Sequence, residues 1–107
     1  MTWTVLVLNR AVEREIDGLP ADMRARLARY SMLVEAHGFE ALPRDAVKHL
    51  EAQAWELRII GRGGISRAIY VTAHGKRMII VRVFIKKTQK TPKCELELAR
   101  LRAKDMT

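Results

Sequence analysis

Three strand-like segments separated by two short turns constrain the fold of this 107-residue chain more than any other feature. Apolar residues recur at every second position over 55–59, and two further β-branched segments follow at Ile65–Thr72 and Arg77–Lys86. The turns between them, Gly61-Arg62-Gly63-Gly64 and His74-Gly75, are too short for a helical crossover. The pattern therefore predicts an antiparallel meander in the second half of the chain.

The first half of the chain carries helical signals. Trp3–Leu8 is short and β-branched and predicts a strand, after which Asn9 is suited to cap a short helix that ends at Gly18. A longer helix is predicted between Pro20 and Gly38, because one apolar stripe runs through Met23, Leu27, Tyr30 and Val34. Residues 39–54, interrupted by a proline, are predicted to be a connection, in which Asp45–Leu50 could be one turn or a loose edge.

A final helix is predicted from Thr91 as N-cap and Pro92 at the first helical position. Its apolar stripe would be Cys94, Leu98 and Leu101, which makes Cys94 a core residue. The element order predicts an α+β fold in a single domain over residues 1–107. We expect an antiparallel sheet with the two N-terminal helices packed on one face, and a C-terminal helix.

The composition excludes several classes of protein. With 49% hydrophobic and 30% charged residues the chain is not intrinsically disordered. The one cysteine and three scattered histidines give no zinc-site spacing, so we expect no metal and no cofactor. No segment is long and apolar enough for a membrane span or a signal peptide, and a cytoplasmic protein is expected.

The positive charge is concentrated in one region. The net charge is +8, and the segment from Leu57 to Lys93 contains ten Lys and Arg residues and no Asp or Glu. Such an asymmetry indicates a polyanionic partner, with nucleic acid as the leading candidate.

Two groups of residues are candidates for binding that polyanion. Each central strand carries one arginine among apolar neighbours, and these are Arg58, Arg67 and Arg82. The alternative is that they solubilise an exposed sheet face or pair with Glu56. The second group is the lysine-rich loop 86–93, which directly precedes a helix N-terminus, where phosphate binds favourably.

Two aromatic residues lie near these charges. Tyr70 and Phe84 could stack on bases beside the basic side chains, as aromatic residues do in RNA recognition. Packing in the core is the alternative for both. His74 lies in a predicted hairpin turn, where a structural role is favoured.

Three runs of sequence resemble the HigB-like branch of the RelE toxin superfamily, found in type II toxin–antitoxin modules. These runs are Ala54–Arg58 (AWELR), Arg67–Tyr70 (RAIY) and Phe84–Pro92 (FIKKTQKTP). The resemblance implies a RelE-like fold and a ribosome-dependent endoribonuclease that cuts mRNA in the ribosomal A site. It also implies inhibition by a cognate helix-turn-helix antitoxin in a toxin–antitoxin hetero-oligomer.

The resemblance also suggests roles for individual residues. Arg67, Lys86 and Lys87 match basic positions of the family and would stabilise the charge that develops on the phosphate during cleavage. Lys86 or Lys87 could in addition act as acid or base. The residues expected to contact RNA are Arg58, Tyr70, Arg82, Phe84, Lys90, Thr91 and Lys93. Several relatives carry Tyr or His near the start of the final helix, whereas this chain has Thr91-Pro92-Lys93.

Two alternatives to an mRNA-cleaving toxin stay open. The chain could be a non-enzymatic module that binds RNA or ribosomes, or a degenerate toxin that acts only through its antitoxin partner.

Overall fold

The computed structural model describes residues 2–73, 75–85 and 90–105, which form one five-stranded sheet and three α-helices. The strands are β1 (Thr4–Val7), β2 (Val47–Glu51), β3 (Ala54–Gly61), β4 (Gly64–Ala73) and β5 (Arg77–Ile85). The helices are α1 (Arg10–Asp17), α2 (Ala21–His37) and α3 (Lys93–Lys104), with single 3₁₀ turns at Phe39–Ala41 and Arg44–Ala46. This arrangement confirms the predicted α+β fold class. The assignment of residues 1–107 to a single domain stays a prediction.

The strand order in the sheet is β1-β5-β4-β3-β2. The antiparallel meander is confirmed, since β3 pairs with β4 and β4 with β5 in antiparallel register. The first strand differs from the expectation of a wholly antiparallel sheet, because β1 runs parallel to β5 with Thr4 opposite Arg77. The chain between β1 and β5 contains two helices and the other three strands, and this long connection allows the parallel pairing, which a short turn cannot make.

The prediction of a connection over residues 39–54 is wrong for Val47–Glu51, which form β2. Pro43 restricts the chain before this segment to short 3₁₀ turns, and the five residues after them pair with β3. Lys48 lies opposite Glu56 in that antiparallel pair. The sheet therefore has one more edge strand than the sequence analysis predicted.

The two N-terminal helices form where they were predicted. The Asn9 side chain accepts a hydrogen bond from the Val12 N–H at 3.1 Å and so caps α1. The predicted stripe of α2 is confirmed, since Met23, Leu27, Tyr30 and Val34 are all buried. Helix α2 stops at Gly38, whose φ of +82° is costly for other residues.

These helices cover one side of the sheet, which we call the first face. The side chains of Leu57 and Ile59 on β3, and of Ala68 and Tyr70 on β4, form a single buried cluster with α1 and α2. The residues between them in sequence point to the opposite side, which we call the second face. Most of the core therefore lies on the first face.

Helix α3 packs on the second face and not on the first. Its Ala99 is buried in a smaller cluster with Ile69, Ile79, Val81 and Phe84. The predicted stripe of this helix is wrong, because Cys94 is exposed and Leu101 is 62% exposed. The small Ala99 allows close approach to the sheet, and Arg102 fixes the rotation of the helix by donating to the Val81 carbonyl at 2.9 Å.

Candidate nucleic-acid interface

The part of the second face near β2 and β3 is not covered by the buried cluster under α3. It carries the alternate side chains of β3, which are Glu56, Arg58 and the half-exposed Ile60. The exposed Lys48 of β2 lies beside them, opposite Glu56. Arg58 is half-buried and reaches the surface in this region, whereas the neighbouring Arg67 is only 5% exposed.

Arg58 and Arg67 lie directly opposite each other on β3 and β4. Like charges at opposed positions of an antiparallel pair repel each other unless an anion lies between them. Arg58 is half-buried, and its Nε atom is buried without a hydrogen-bond partner among the described residues. A guanidinium group without a carboxylate partner is costly to bury, so an anionic ligand bound to the exposed part of Arg58 would stabilise it.

Arg67 is held by a carboxylate and a hydroxyl group. Its Nη1 atom lies 3.0 Å from Oε1 of Glu56 and donates to the Thr91 hydroxyl at 2.9 Å. The same hydroxyl donates to Oε2 of Glu56. The alternative that a strand arginine pairs with Glu56 therefore holds for Arg67, whose side chain is only 6% exposed.

Arg82 is bound by two carboxylates from different helices. Its Nε lies 2.7 Å from Glu95 of α3, and its Nη1 lies 2.8 Å from Glu15 of α1. The hydrogen bonds that Arg82 donates to Glu95, together with the charge of Glu15, raise the pKa of Arg82 against the opposing effect of burial. These contacts favour a structural role for Arg82 over the predicted RNA contact.

The two predicted stacking residues are both buried. Tyr70 is 1% exposed on the first face, where its ring stacks on Phe39 at 5.5 Å between centroids. It therefore lies on the other side of the sheet from Arg58, and burial raises the pKa of its hydroxyl. Phe84 is on the second face but is 8% exposed and packs against the α3 cluster. Packing in the core, the alternative stated for both rings, is what their burial favours.

The basic loop is described only in its last part. The predicted catalytic residues Lys86 and Lys87 lie outside the described residues, as does His74. Lys90 and Lys93 are exposed on either side of the half-buried Thr91. Since Thr91 contacts Arg67, these two lysines are carried next to the arginines of the second face.

The prediction of Thr91 as the N-cap is wrong by one residue. Helix α3 begins at Lys93, and its N-cap is Pro92, with no side-chain hydrogen bond to the first turn. Thr91 instead uses its hydroxyl group on Glu56 and Arg67. Competition from a buried ion pair explains why the hydroxyl does not cap the helix.

Two residues of this surface were missed by the sequence analysis as site residues. Lys48 was missed because its segment was predicted to be a connection, and only the pairing of β2 places it on the second face. Glu56 was considered only as a pairing partner for an arginine. Its position two residues before Arg58, on the same strand face, is the signal that could have identified it.

Over residues 2–73, 75–85 and 90–105, no group of three or more His, Cys, Asp and Glu side chains is arranged to hold a metal ion. Within the same ranges, no helix has the length and apolar character that crossing a bilayer requires. The charged residues of the second face offer cationic groups. Two guanidinium groups with exposed lysines around them can bind a phosphodiester.

Comparison with solved structures shows which fold this is. The free state of a double mutant of the E. coli toxin RelE matches 100% of both chains with a TM-score of 0.65 at 12% sequence identity. The archaeal RelE–RelB complex from Pyrococcus horikoshii OT3 matches 79% of this chain and 96% of that chain, with a TM-score of 0.54 and 21% identity. The predicted RelE-like fold is therefore confirmed.

Sequence comparison assigns the family. No curated protein sequence matches the chain. The model of the family described as "Phage derived protein Gp49-like (DUF891)" matches residues 14–104. That match takes in Arg58 and Arg67 of the second face, Glu56, Thr91 and all of α3. The HigB-like branch of the resemblance stays a prediction, and the chain belongs to the phage-derived Gp49-like family.

Proposed function

We propose that this protein is the toxin of a type II toxin–antitoxin module and cleaves mRNA on the ribosome. The observation that carries the proposal is the half-buried Arg58 on the second face, directly opposite the buried Arg67. Arg58 has no carboxylate within ion-pair distance among the described residues, and exposed lysines lie on β2 (Lys48) and on either side of Thr91 (Lys90 and Lys93). The RelE fold and the Gp49-like family support the same function.

The reaction that suits such a surface is attack by a ribose 2′-hydroxyl on the adjacent phosphate. The 2′-oxygen loses its proton and forms a bond to phosphorus, and the bond from phosphorus to the 5′-oxygen breaks as that oxygen gains a proton. The products are a 2′,3′-cyclic phosphate and a 5′-hydroxyl. Arg58 and Arg67 would stabilise the negative charge that builds up on the phosphate oxygens. Lys86 and Lys87 are proposed for the same task and for proton transfer.

The test is cleavage of mRNA on purified ribosomes that hold a defined codon in the A site. Mapping of 5′ ends should show a new end within that codon only when the protein is present. Arg58→Ala should lower the rate about 100-fold, the order of effect seen when one group that stabilises a developing oxyanion is removed. Arg26→Ala is the matched control, because it removes the same charge from the exposed side of α2.

The outcomes of this experiment separate the alternatives. Full activity of the Arg58→Ala variant would remove that residue from the site. Salt-sensitive binding to ribosomes without cleavage would identify a non-enzymatic binding module. The absence of Tyr and His from residues 90–105 favours the other alternative, a degenerate toxin. Absence of both binding and cleavage would leave the degenerate toxin, for which expression without a partner is harmless.

The proposal includes a cognate antitoxin of the helix-turn-helix class and a cytoplasmic site of action, where mRNA is translated. The similarity to a RelE chain that was solved in complex with RelB supports a protein partner. Co-expression with the product of the neighbouring reading frame should abolish growth arrest and give a stable complex. If growth arrest persists and no complex forms, the neighbouring product is not the antitoxin.

A further inference from the structure

The second face contains a buried ion pair that is closed by a hydroxyl group. Glu56 is 3% exposed and Arg67 is 5% exposed, although both are charged. Burying an ion pair costs more than the attraction returns unless further hydrogen bonds satisfy the two groups. Here the Thr91 hydroxyl supplies such hydrogen bonds to both partners.

The three side chains form a closed triangle of contacts. The Thr91 oxygen accepts from Nη1 of Arg67 and gives its single hydrogen to Oε2 of Glu56. The other carboxylate oxygen, Oε1, lies 3.0 Å from the same Nη1. Because the carboxylate and the hydroxyl meet the guanidinium at one nitrogen from two directions, rotation of the planar group is restricted.

The triangle also joins three separate parts of the chain. Glu56 comes from β3, Arg67 from β4, and Thr91 from the segment that leads into α3. Lys90 and Lys93 flank Thr91, so the contact that orients the guanidinium also places two lysines near it. Arg58 lies directly opposite Arg67 and is the strand cation beside which the Arg67 guanidinium is oriented.

We propose that Glu56 and Thr91 are positioning residues that fix the guanidinium of Arg67 beside Arg58, where both face a phosphodiester. Glu56 supplies the compensating charge that allows Arg67 to be buried, and Thr91 sets its orientation. Thr91 was expected to contact RNA directly, and in this proposal it acts through Arg67 instead. The inference rests on the proposed function and adds two residues to its site.

The test compares Thr91→Val, which removes only the hydroxyl, with Thr91→Ser, which keeps it. Thr72→Val is the matched control, since Thr72 lies on the same strand as Arg67 but on the first face. Two readouts are taken on each full-length protein. One is kcat and KM for cleavage of mRNA on ribosomes, and the other is the Nε–Hε resonance of Arg67 in ¹H–¹⁵N spectra.

We expect Thr91→Val to lower kcat about 10- to 100-fold with KM nearly unchanged, because small displacements of an aligned group are costly in rate. The Arg67 resonance should move towards that of Arg62, which is exposed in the β3–β4 turn. Thr91→Ser and Thr72→Val should keep the properties of the wild type. Glu56→Gln, which keeps the shape but removes the charge, should shift the same resonance.

Other outcomes overturn the inference. If Thr91→Val lowers only the melting temperature while the kcat of the folded protein is unchanged, Thr91 has a structural role. An unmoved Arg67 resonance shows that the hydroxyl does not orient the guanidinium. If the wild-type protein does not cut mRNA, the proposed function fails, and the resonance in Thr91→Val still decides whether Arg67 is positioned by Thr91.

Discussion

At the scale of single residues, three arginines with similar sequence surroundings have different environments. Arg67 is paired with Glu56, and Arg82 is held between Glu15 and Glu95. Arg58 has no carboxylate within ion-pair distance among the residues that the structure describes. The difference comes from partners that are distant in sequence, so the charges of the three strands are not equivalent. Arg58 is the strand arginine best suited to test function.

Arg67→Met should lower the free energy of unfolding by about 3–5 kcal/mol, because it leaves the Glu56 carboxylate buried without its cation. The double variant Glu56→Leu/Arg67→Met should recover most of that loss, since neither charge is then buried alone. Urea denaturation of both single variants and the double variant measures the coupling. Arg58→Met serves as the control and should change stability by less than about 1 kcal/mol. Equal losses in the Arg67→Met and double variants would contradict the idea of a compensated pair.

At the scale of elements, the turn between β3 and β4 is fixed to the start of α2. The Asp22 side chain accepts a hydrogen bond from the Arg62 N–H at 2.7 Å and another from the Met23 N–H at 2.9 Å. The hydrogen bond from Arg62 is the main cause that lowers the pKa of Asp22. A Cβ atom on Gly61 would lie 2.7 Å from Cγ of Met23, so the close approach depends on glycine at this position.

Gly61→Ala should therefore destabilise the protein by about 1–3 kcal/mol, the usual cost of overpacking a core. Met23 is 1% exposed and has little space into which it could move. Gly63→Ala in the same turn is the matched control, because a Cβ atom added there would have no other atom within 4 Å. Thermal melting compares the two variants, and equal melting temperatures would contradict a steric requirement at Gly61.

At the scale of the whole molecule, one carboxylate connects three elements around the edge of β5. Glu15 of α1 accepts from the Val83 N–H at 3.0 Å and from Nη1 of Arg102 at 3.0 Å, and it pairs with Arg82. Burial acts to raise the pKa of Glu15, but the hydrogen bonds from Arg102 and Val83 and the charge of Arg82 outweigh it and lower the pKa. The helices on opposite faces of the sheet are thus joined through a single ionised group.

The lowered pKa gives a defined dependence of stability on pH. Ionised Glu15 stabilises the folded state above its ordinary pKa of 4.5, and this contribution disappears as the pH falls through its lower folded value. Glu15→Gln should therefore be about 2 kcal/mol less stable than the wild type at pH 7, the scale of hydrogen bonds to a charged group. The difference should shrink as the pH falls below about 4.5.

Urea titrations at several pH values measure this difference, with Glu13→Gln as the control on the exposed side of the same helix. A difference that stays constant from pH 7 to pH 3 would show that the charge of Glu15 is not involved.

The sequence predicted those elements whose signal is local. Helix α2 and the meander were predictable, because the periods of apolar residues and the short turns depend on neighbours in the chain. The direction of β1 could not be predicted from the sequence, since it depends on which edge of the sheet the strand joins. The exposed Cys94 shows the same limit, because α3 contacts α1 through the ion pair of Arg102 with Glu15, 87 positions away in sequence, which no local pattern reveals.

The candidate site was predictable in its charges but not in their partners. The sequence identified Arg58, Arg67 and Arg82 as strand cations and the basic loop as a second candidate, and the family resemblance added roles for Arg67, Lys86 and Lys87. The contact of Thr91 with both Glu56 and Arg67 could not be predicted, because it joins residues that lie 35 and 24 positions apart in sequence. Sequence patterns indicate which face of a sheet a residue occupies, whereas contacts between distant residues depend on how the strands and helices assemble.

The parallel pairing of β1 with β5 has a consequence for the order of folding. The hairpins of the meander close over a few residues, whereas Thr4 meets Arg77 only after most of the chain has been placed. Closing a longer loop costs more entropy before any contact compensates for it, so the hairpins are expected to form before β1 pairs with β5. We therefore expect the meander in the second half of the chain to form first and the N-terminal strand to join it later. The arginines of the second face would then share a hairpin before the first strand docks.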